Sequence, residues 1–191
     1  MSLTEITAPG TTPVSPEELA SHLRLNFGFA DSDAEDALLV LYLETATRAI
    51  EQRLGQALIM RAFRVDTDCW DSDGRYLMPV GPITALTGLS LVSATSTVAV
   101  AVGDLSLSPG RSRQRLATSV GGTLPPIPNG GRAEILFDAG YGPDGANVPG
   151  EIRQAVLILA GHLYQNRTGD NDATFPAMVS SLIAPHHVLR V

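Results

Sequence analysis

Apolar and polar positions along the 191-residue chain change period twice, from helical spacing to alternation and back. Ser15-Pro16-Glu17-Glu18 reads as an N-cap, a proline at the first helical position and a glutamate three residues after the cap, which predicts a short helix from Pro16 to about Leu25. The stretch NFGFADSD follows as a loop. Ser32 then opens a second capping box with Glu35, and Asp33 and Asp36 suit the positive end of a helix dipole, so a long helix is predicted from Asp33 to about Leu54, capped by Gly55. Two apolar stripes run along it: Leu38, Leu41, Tyr42, Thr45 and Ala49, and beside them Leu39, Leu43, Ala46 and Ile50. That arc is wider than one core contact needs, with Glu44 and Arg48 at i, i+4 spacing on a solvated strip. The second stripe is expected to face a neighbouring subunit.

From Leu58 to Gly142 the period falls to two. LIMRAFRVDTDCW, RYLMPV, ITALTGLSLV, VAVAV, RQRLAT and RAEILFDAGYG alternate between Gly, Pro and Asp breaks, the signature of an antiparallel sheet or small barrel. Helical spacing returns in VPGEIRQAVLILAGHLYQNRTG, where Ile152, Ala155, Val156, Leu159 and Leu163 form a core stripe and Ile158, His162 and Gln165 lie elsewhere. A short apolar helix follows in FPAMVSSLIA, stopped before Pro185, and His186 to Val191 form a tail. Residues 1–14, rich in Thr, Pro and Gly, are expected to be a flexible arm.

Composition adds limits. At 44% hydrophobic but 5% aromatic, the core must be mainly aliphatic, and the length suits one domain. All 13 basic residues are Arg, and the net charge of −7 argues against holding a phosphate backbone with the bulk surface. The single Cys69 makes no internal disulfide and favours a reducing compartment. The N-terminus lacks the basic and apolar regions of an export signal, and no apolar run reaches the roughly 18 residues of a membrane span, so the expectation is a soluble protein with no membrane partner.

Candidate chemistry is sparse. His162 lacks a recognisable nucleophile or a His-x-x-x-His partner, so a structural or interface role is the stronger reading. Aligning Gly74 of Asp71-Ser72-Asp73-Gly74 to the invariant glycine of a calcium loop puts Cys69 and Val80 where ligands belong, which leaves a β-turn with solvated carboxylates. His186 and His187 are adjacent and point apart, unlike an i, i+4 metal pair. Arg111, Arg113 and Arg115 alternate, so they line one face of a strand, either as an anion-binding row or as charge protecting a sheet edge. No cofactor, metal or catalytic residue is assigned.

Taken in order, PVSPEELASHLRL, DSDAEDALLVLYLETATRAIEQRLGQALI, LMPVGPITALTGLSLV, AGYG, VPGEIRQAVLILAGHLYQNR and LIAPHHVLRV resemble the head-tail connector family of tailed phages, the adaptor or head-completion proteins beneath the portal. Prophages and gene transfer agents carry relatives. The resemblance covers about residues 12–191. It implies an α+β fold: a helical core of three main helices plus a short C-terminal helix, with an antiparallel β region inserted at about residues 58–140 of a single adaptor domain spanning 15–185.

It further implies a non-enzymatic homo-oligomeric ring, commonly of twelve subunits, that docks on the portal protein and receives a stopper or other tail-neck protein. Such a ring sits in the neck of a virion or phage-like particle assembled in the bacterial cytoplasm. DNA passes through its lumen without sequence-specific binding, which carboxylates permit better than cations. On this reading Leu39, Leu43, Ala46 and Ile50 meet the adjacent protomer. The tail His186, His187, Val188, Leu189, Arg190 and Val191 reaches the portal. Two competing readings stand beside it: a small hydrolase or metal-dependent enzyme using His162 with Asp138, and a monomeric β-rich ligand-binding module.

Overall fold

The structure is a computed structural model that describes residues 1–25, 33–109, 114–166 and 175–187. The chain divides into two compact units, each assembled from separated segments: Met1–Pro9 with Gly55–Tyr141, and Gly10–Leu54 with Gly142–Val191. Together they make the α+β fold.

The first unit is all β. Its larger sheet comprises β1 (Ser2–Glu5), β2 (Arg61–Thr67), β8 (Arg132–Ala139), β4 (Ile83–Val92) and β5 (Thr97–Val100) in the order β1-β2-β8-β4-β5, every pair antiparallel. A smaller sheet orders β3 (Tyr76–Leu77), β7 (Arg115–Thr118) and β6 (Leu105–Leu107) as β3-β7-β6. Alternation does what the sequence predicts. Phe63, Val65 and Thr67 of β2 and Ala133, Ile135, Phe137 and Ala139 of β8 point to one face and are buried. Register extends that face as a row across all five strands: Leu3, Val65, Ile135, Leu89 and Val100.

The opposite face carries charge, with the Asp66 carboxylate 3.3 Å from both Arg64 Nε and Arg132 Nε. Trp70 closes the core edge, donating its indole N–H to the Pro125 carbonyl at 2.8 Å and meeting Tyr76 edge to face. Between β5 and β6 the VAVAV run breaks, because Val102–Asp104 turns as a short 3₁₀ helix.

Residues 1–14 are not a free arm. Ser2–Glu5 is the edge strand of the five-stranded sheet, Ile6 N–H bonds the Ala62 carbonyl, and Val14 is buried. Backbone pairing to β2 orders the segment, a source of order that side-chain composition does not reveal.

The second unit is helical: α1 (Pro16–Leu23), α2 (Asp33–Leu54), α3 (Gly150–Gln165) and α4 (Ala177–Ile183), with a 3₁₀ turn over Ala184–His186. The α1 capping box forms in both directions, Glu18 N–H to Ser15 Oγ at 3.2 Å and Ser15 N–H to Glu18 Oε2 at 2.8 Å. Arg24 ends α1 in the left-handed region, at φ 55°. α3 is the hub, packing on α1, α2 and α4 with Ile152, Ala155, Val156, Leu159 and Ala160 buried. Gly161 lets α1 approach closely: a Cβ there would sit 3.2 Å from the His22 ring.

Candidate functional site

α2 decides which surfaces are available for assembly. Leu39, Leu43, Ala46 and Ile50 are 1, 0, 0 and 0% exposed, so the stripe expected to meet a neighbour is the subunit's own core. This corrects the sequence reading. A row of purely aliphatic side chains gains most by complete burial, and α2 packs it inward as it lies on α3 and α1. Buried among them, Thr47 satisfies its hydroxyl by donating to the Leu43 carbonyl at 2.7 Å.

The other stripe lies at the margin. Tyr42 is half-buried and packs edge to face on Tyr164 of α3, whose hydroxyl reaches Glu35 Oε1 at 3.3 Å. At 100° per residue, Leu41 and Arg48 project about 180° from the centre of the buried stripe. Leu41 is 55% exposed, while Arg48 is exposed and has no ion-pair partner among the described residues.

A shallow groove runs between α1 and α3, lined by Glu17, Glu18, Ser21, His22 and Leu157. Glu18 is committed, since one carboxylate oxygen takes the Ser15 N–H and the other Arg153 Nη2 at 2.7 Å. Glu17 stands open on the rim, and hydrogen bonding from the Ser15 hydroxyl and its own backbone N–H holds its carboxyl below the ordinary 4.5. Leu41, Arg48, Leu157 and Glu17 carry no recognisable motif. The signal that could have found the first two is Arg48 seven residues after Leu41, on the same helix face.

The C-terminal segment is held down as far as His187. Val179 and Ile183 are buried, His186 Nε2 lies 3.9 Å from Glu151 Oε2 on the first turn of α3, and His187 N–H bonds the Ala184 carbonyl. Val188, Leu189, Arg190 and Val191, the rest of the expected tail, lie outside the described residues, as do Arg111 and Arg113 of the alternating arginine run.

The residues singled out for chemistry have structural partners. His162 Nδ1 lies 3.1 Å from the Asn166 amide on the next turn of α3, and Asp138 belongs to the other unit. The acidic turn closes on itself: Arg75 N–H bonds Asp73 Oδ1, and Arg115 Nη1 bonds Asp73 Oδ2 at 2.7 Å. Gly74 sits at φ 70°, as the turn requires. Among the described residues, no group of three or more His, Cys, Asp or Glu side chains could hold a metal. No helix among them is long and apolar enough to cross a membrane.

No protein-family model and no curated protein matches the chain. Chains of solved structures do, among them three that each cover 100% of this chain, which in turn covers 97% of theirs. A chain in the neck of an empty gene transfer agent (GTA) particle, computed with C6 symmetry, is 39% identical with a TM-score of 0.88. One in the virion of a native GTA particle is 41% identical at 0.86, and one in the neck of a native GTA particle, computed with C12 symmetry, is 35% identical at 0.77.

Proposed function

Because the chain belongs to the phage-like head-tail connector family of gene transfer agent particles, we propose that it is the adaptor of such a particle's neck. It is a structural component rather than an enzyme, and it works as a ring. One observation carries this reading: likeness at 39–41% identity over the whole of this chain and 97% of the relatives, which were found in a neck and a virion.

The finer roles follow from the same reading. The ring has twelve copies, in keeping with the C12 symmetry used for a relative's neck. It docks beneath the portal protein, receives a stopper or other tail-neck protein on its far side, and surrounds the path of DNA. A subunit of net charge −7 suits that passage, since a lumen lined with carboxylates offers the duplex few cations to exchange for its counterions. The C-terminal tail, His186 to Val191, binds the portal, and His186 at its start lies 3.9 Å from Glu151 of α3. Assembly takes place in the bacterial cytoplasm.

The test is negative-stain electron microscopy of the full chain mixed with the portal protein of the same gene cluster, against each alone. A ring added to one end of the portal is the expected result. A monomer that leaves the portal bare at micromolar concentrations would overturn the adaptor reading. Removing residues 188–191 is expected to weaken portal binding and leave the melting temperature unchanged, whereas wild-type binding by the truncated chain would dismiss the tail's role.

A further inference from the structure

A closed ring of identical subunits joins two different patches of the same surface, repeated around the axis. The helical unit presents one such pair. On α2, Leu41 is the large apolar side chain left exposed, and Arg48, two turns or about 10 Å further along the same face, is a cation without a partner among the described residues. On α1 and α3, Leu157 lies in the groove and Glu17 stands on its rim, the neighbouring Glu18 being occupied by Ser15 and Arg153.

The two patches face apart. Leu41 and Arg48 point away from the buried stripe that α2 lays on α3 and α1, so they cannot reach the α1–α3 groove of their own copy. The α2 patch sets Leu41 beside the cation Arg48, with Glu44 one turn before it on the same strip, and the groove sets Leu157 beside the carboxylate of Glu17, Glu18 being already paired with Arg153. A two-fold contact of α2 with α2 would leave the α1–α3 groove and Glu17 uncovered. A head-to-tail contact brings cation to carboxylate and leucine to leucine.

The geometry points to the outer face of α2, through Leu41 and Arg48, docking in the α1–α3 groove of a second copy, with Leu41 over Leu157 and Arg48 against Glu17. This inference rests on the ring reading and names its subunit interface. The apolar centre supplies the burial, while the charge pair fixes direction and register and rejects the reversed contact.

The experiment uses the full chain assembled on its portal, with ring occupancy measured by electron microscopy and native mass spectrometry. Arg48→Glu and Glu17→Arg, each alone, are expected to lower occupancy at least about tenfold, since like charges then meet across every interface. The double variant restores the pair in reverse and should return occupancy to within about threefold of wild type. Both positions are exposed, so melting curves of the single variants should overlay the wild type within a few degrees.

A second readout is independent of charge. In a Cys69→Ser background, Leu41→Cys combined with Leu157→Cys should give a ladder of cross-linked oligomers in the assembled ring, and neither cysteine alone should. A wild-type ring together with unaffected single variants, an unrescued double variant or no ladder would overturn this interface and leave the adaptor reading standing. Absence of a ring from the wild-type chain would overturn the adaptor reading, and this inference with it.

Discussion

Leu41 and Leu43 are two residues apart on α2 and separate core from surface. Leu43 is fully buried, so Leu43→Ala removes its transfer energy and leaves a cavity that the helices close only in part, a loss of about 2–5 kcal/mol. For a chain of this length each kcal/mol moves the melting temperature by about 2–4 °C, so a mid-range loss of about 3 kcal/mol lowers it by about 6–12 °C. Leu41→Ala removes the same atoms from a side chain that is 55% exposed and should stay within about 0.5 kcal/mol of wild type.

Leucine and alanine are both strong helix formers, so propensity does not blur the comparison. Urea titration followed at 222 nm reads the helical unit, and the slope of the transition shows whether each variant still unfolds as one species. The reverse pattern, a stable Leu43→Ala beside a Leu41→Ala that loses 2 kcal/mol or more, would refute the assignment of the two stripes. By the same logic Leu39→Asp or Leu43→Asp prevents assembly by unfolding the subunit, because each buries an unpaired carboxylate. An interface position would instead leave the monomer folded.

Three further outcomes follow from local geometry. Gly140→Ala should cost the β unit more than about 2 kcal/mol, because φ is 142° and the added Cβ would fall 2.4 Å from Met60 N and Cα; fluorescence of Trp70, the sole tryptophan, follows that unfolding. Arg24→Gly should raise stability by about 0.5–1 kcal/mol, since a side chain at φ 55° is strained where glycine is not, and a thermal melt reads the gain. Burial pushes the Tyr76 phenol above its ordinary 10.0; the nearby Thr67 hydroxyl opposes this in part, yet donates its own hydrogen to the Cys69 carbonyl. The folded phenol therefore keeps its proton longer than the unfolded one, and the stability it contributes is complete below pH 10.0 and lost as pH rises through the folded value. Tyr76→Phe should remove that alkaline step at little cost at neutral pH, because the hydroxyl has no hydrogen-bond partner among the described residues.

What the chain discloses before folding depends on how far each ordering interaction reaches. The Ser15–Glu18 capping box spans three residues and is fully legible, and the bounds of α2 and the inward face of β2 follow from periods of a few residues. β1 is illegible for the opposite reason. Its order comes from hydrogen bonds to β2, and its partners Ser2 and Asp66 stand 64 residues apart, while SLTE alone buries almost nothing. The α2 stripes fail in a third way. Both are apolar, and period locates a stripe without saying what covers it. Composition held the missing clue: Leu39, Leu43, Ala46 and Ile50 contain no polar atom beyond the backbone, whereas the neighbouring stripe carries the hydroxyls of Tyr42 and Thr45. A hydroxyl buried in an aliphatic core costs free energy unless it finds an acceptor, as Thr47 does at the Leu43 carbonyl. Thr45 makes the same bond to the Leu41 carbonyl at 2.8 Å, so hydroxyls alone do not decide; the four purely aliphatic side chains gain most from burial and take the core, and the mixed stripe, Leu41 with it, is left at the water margin.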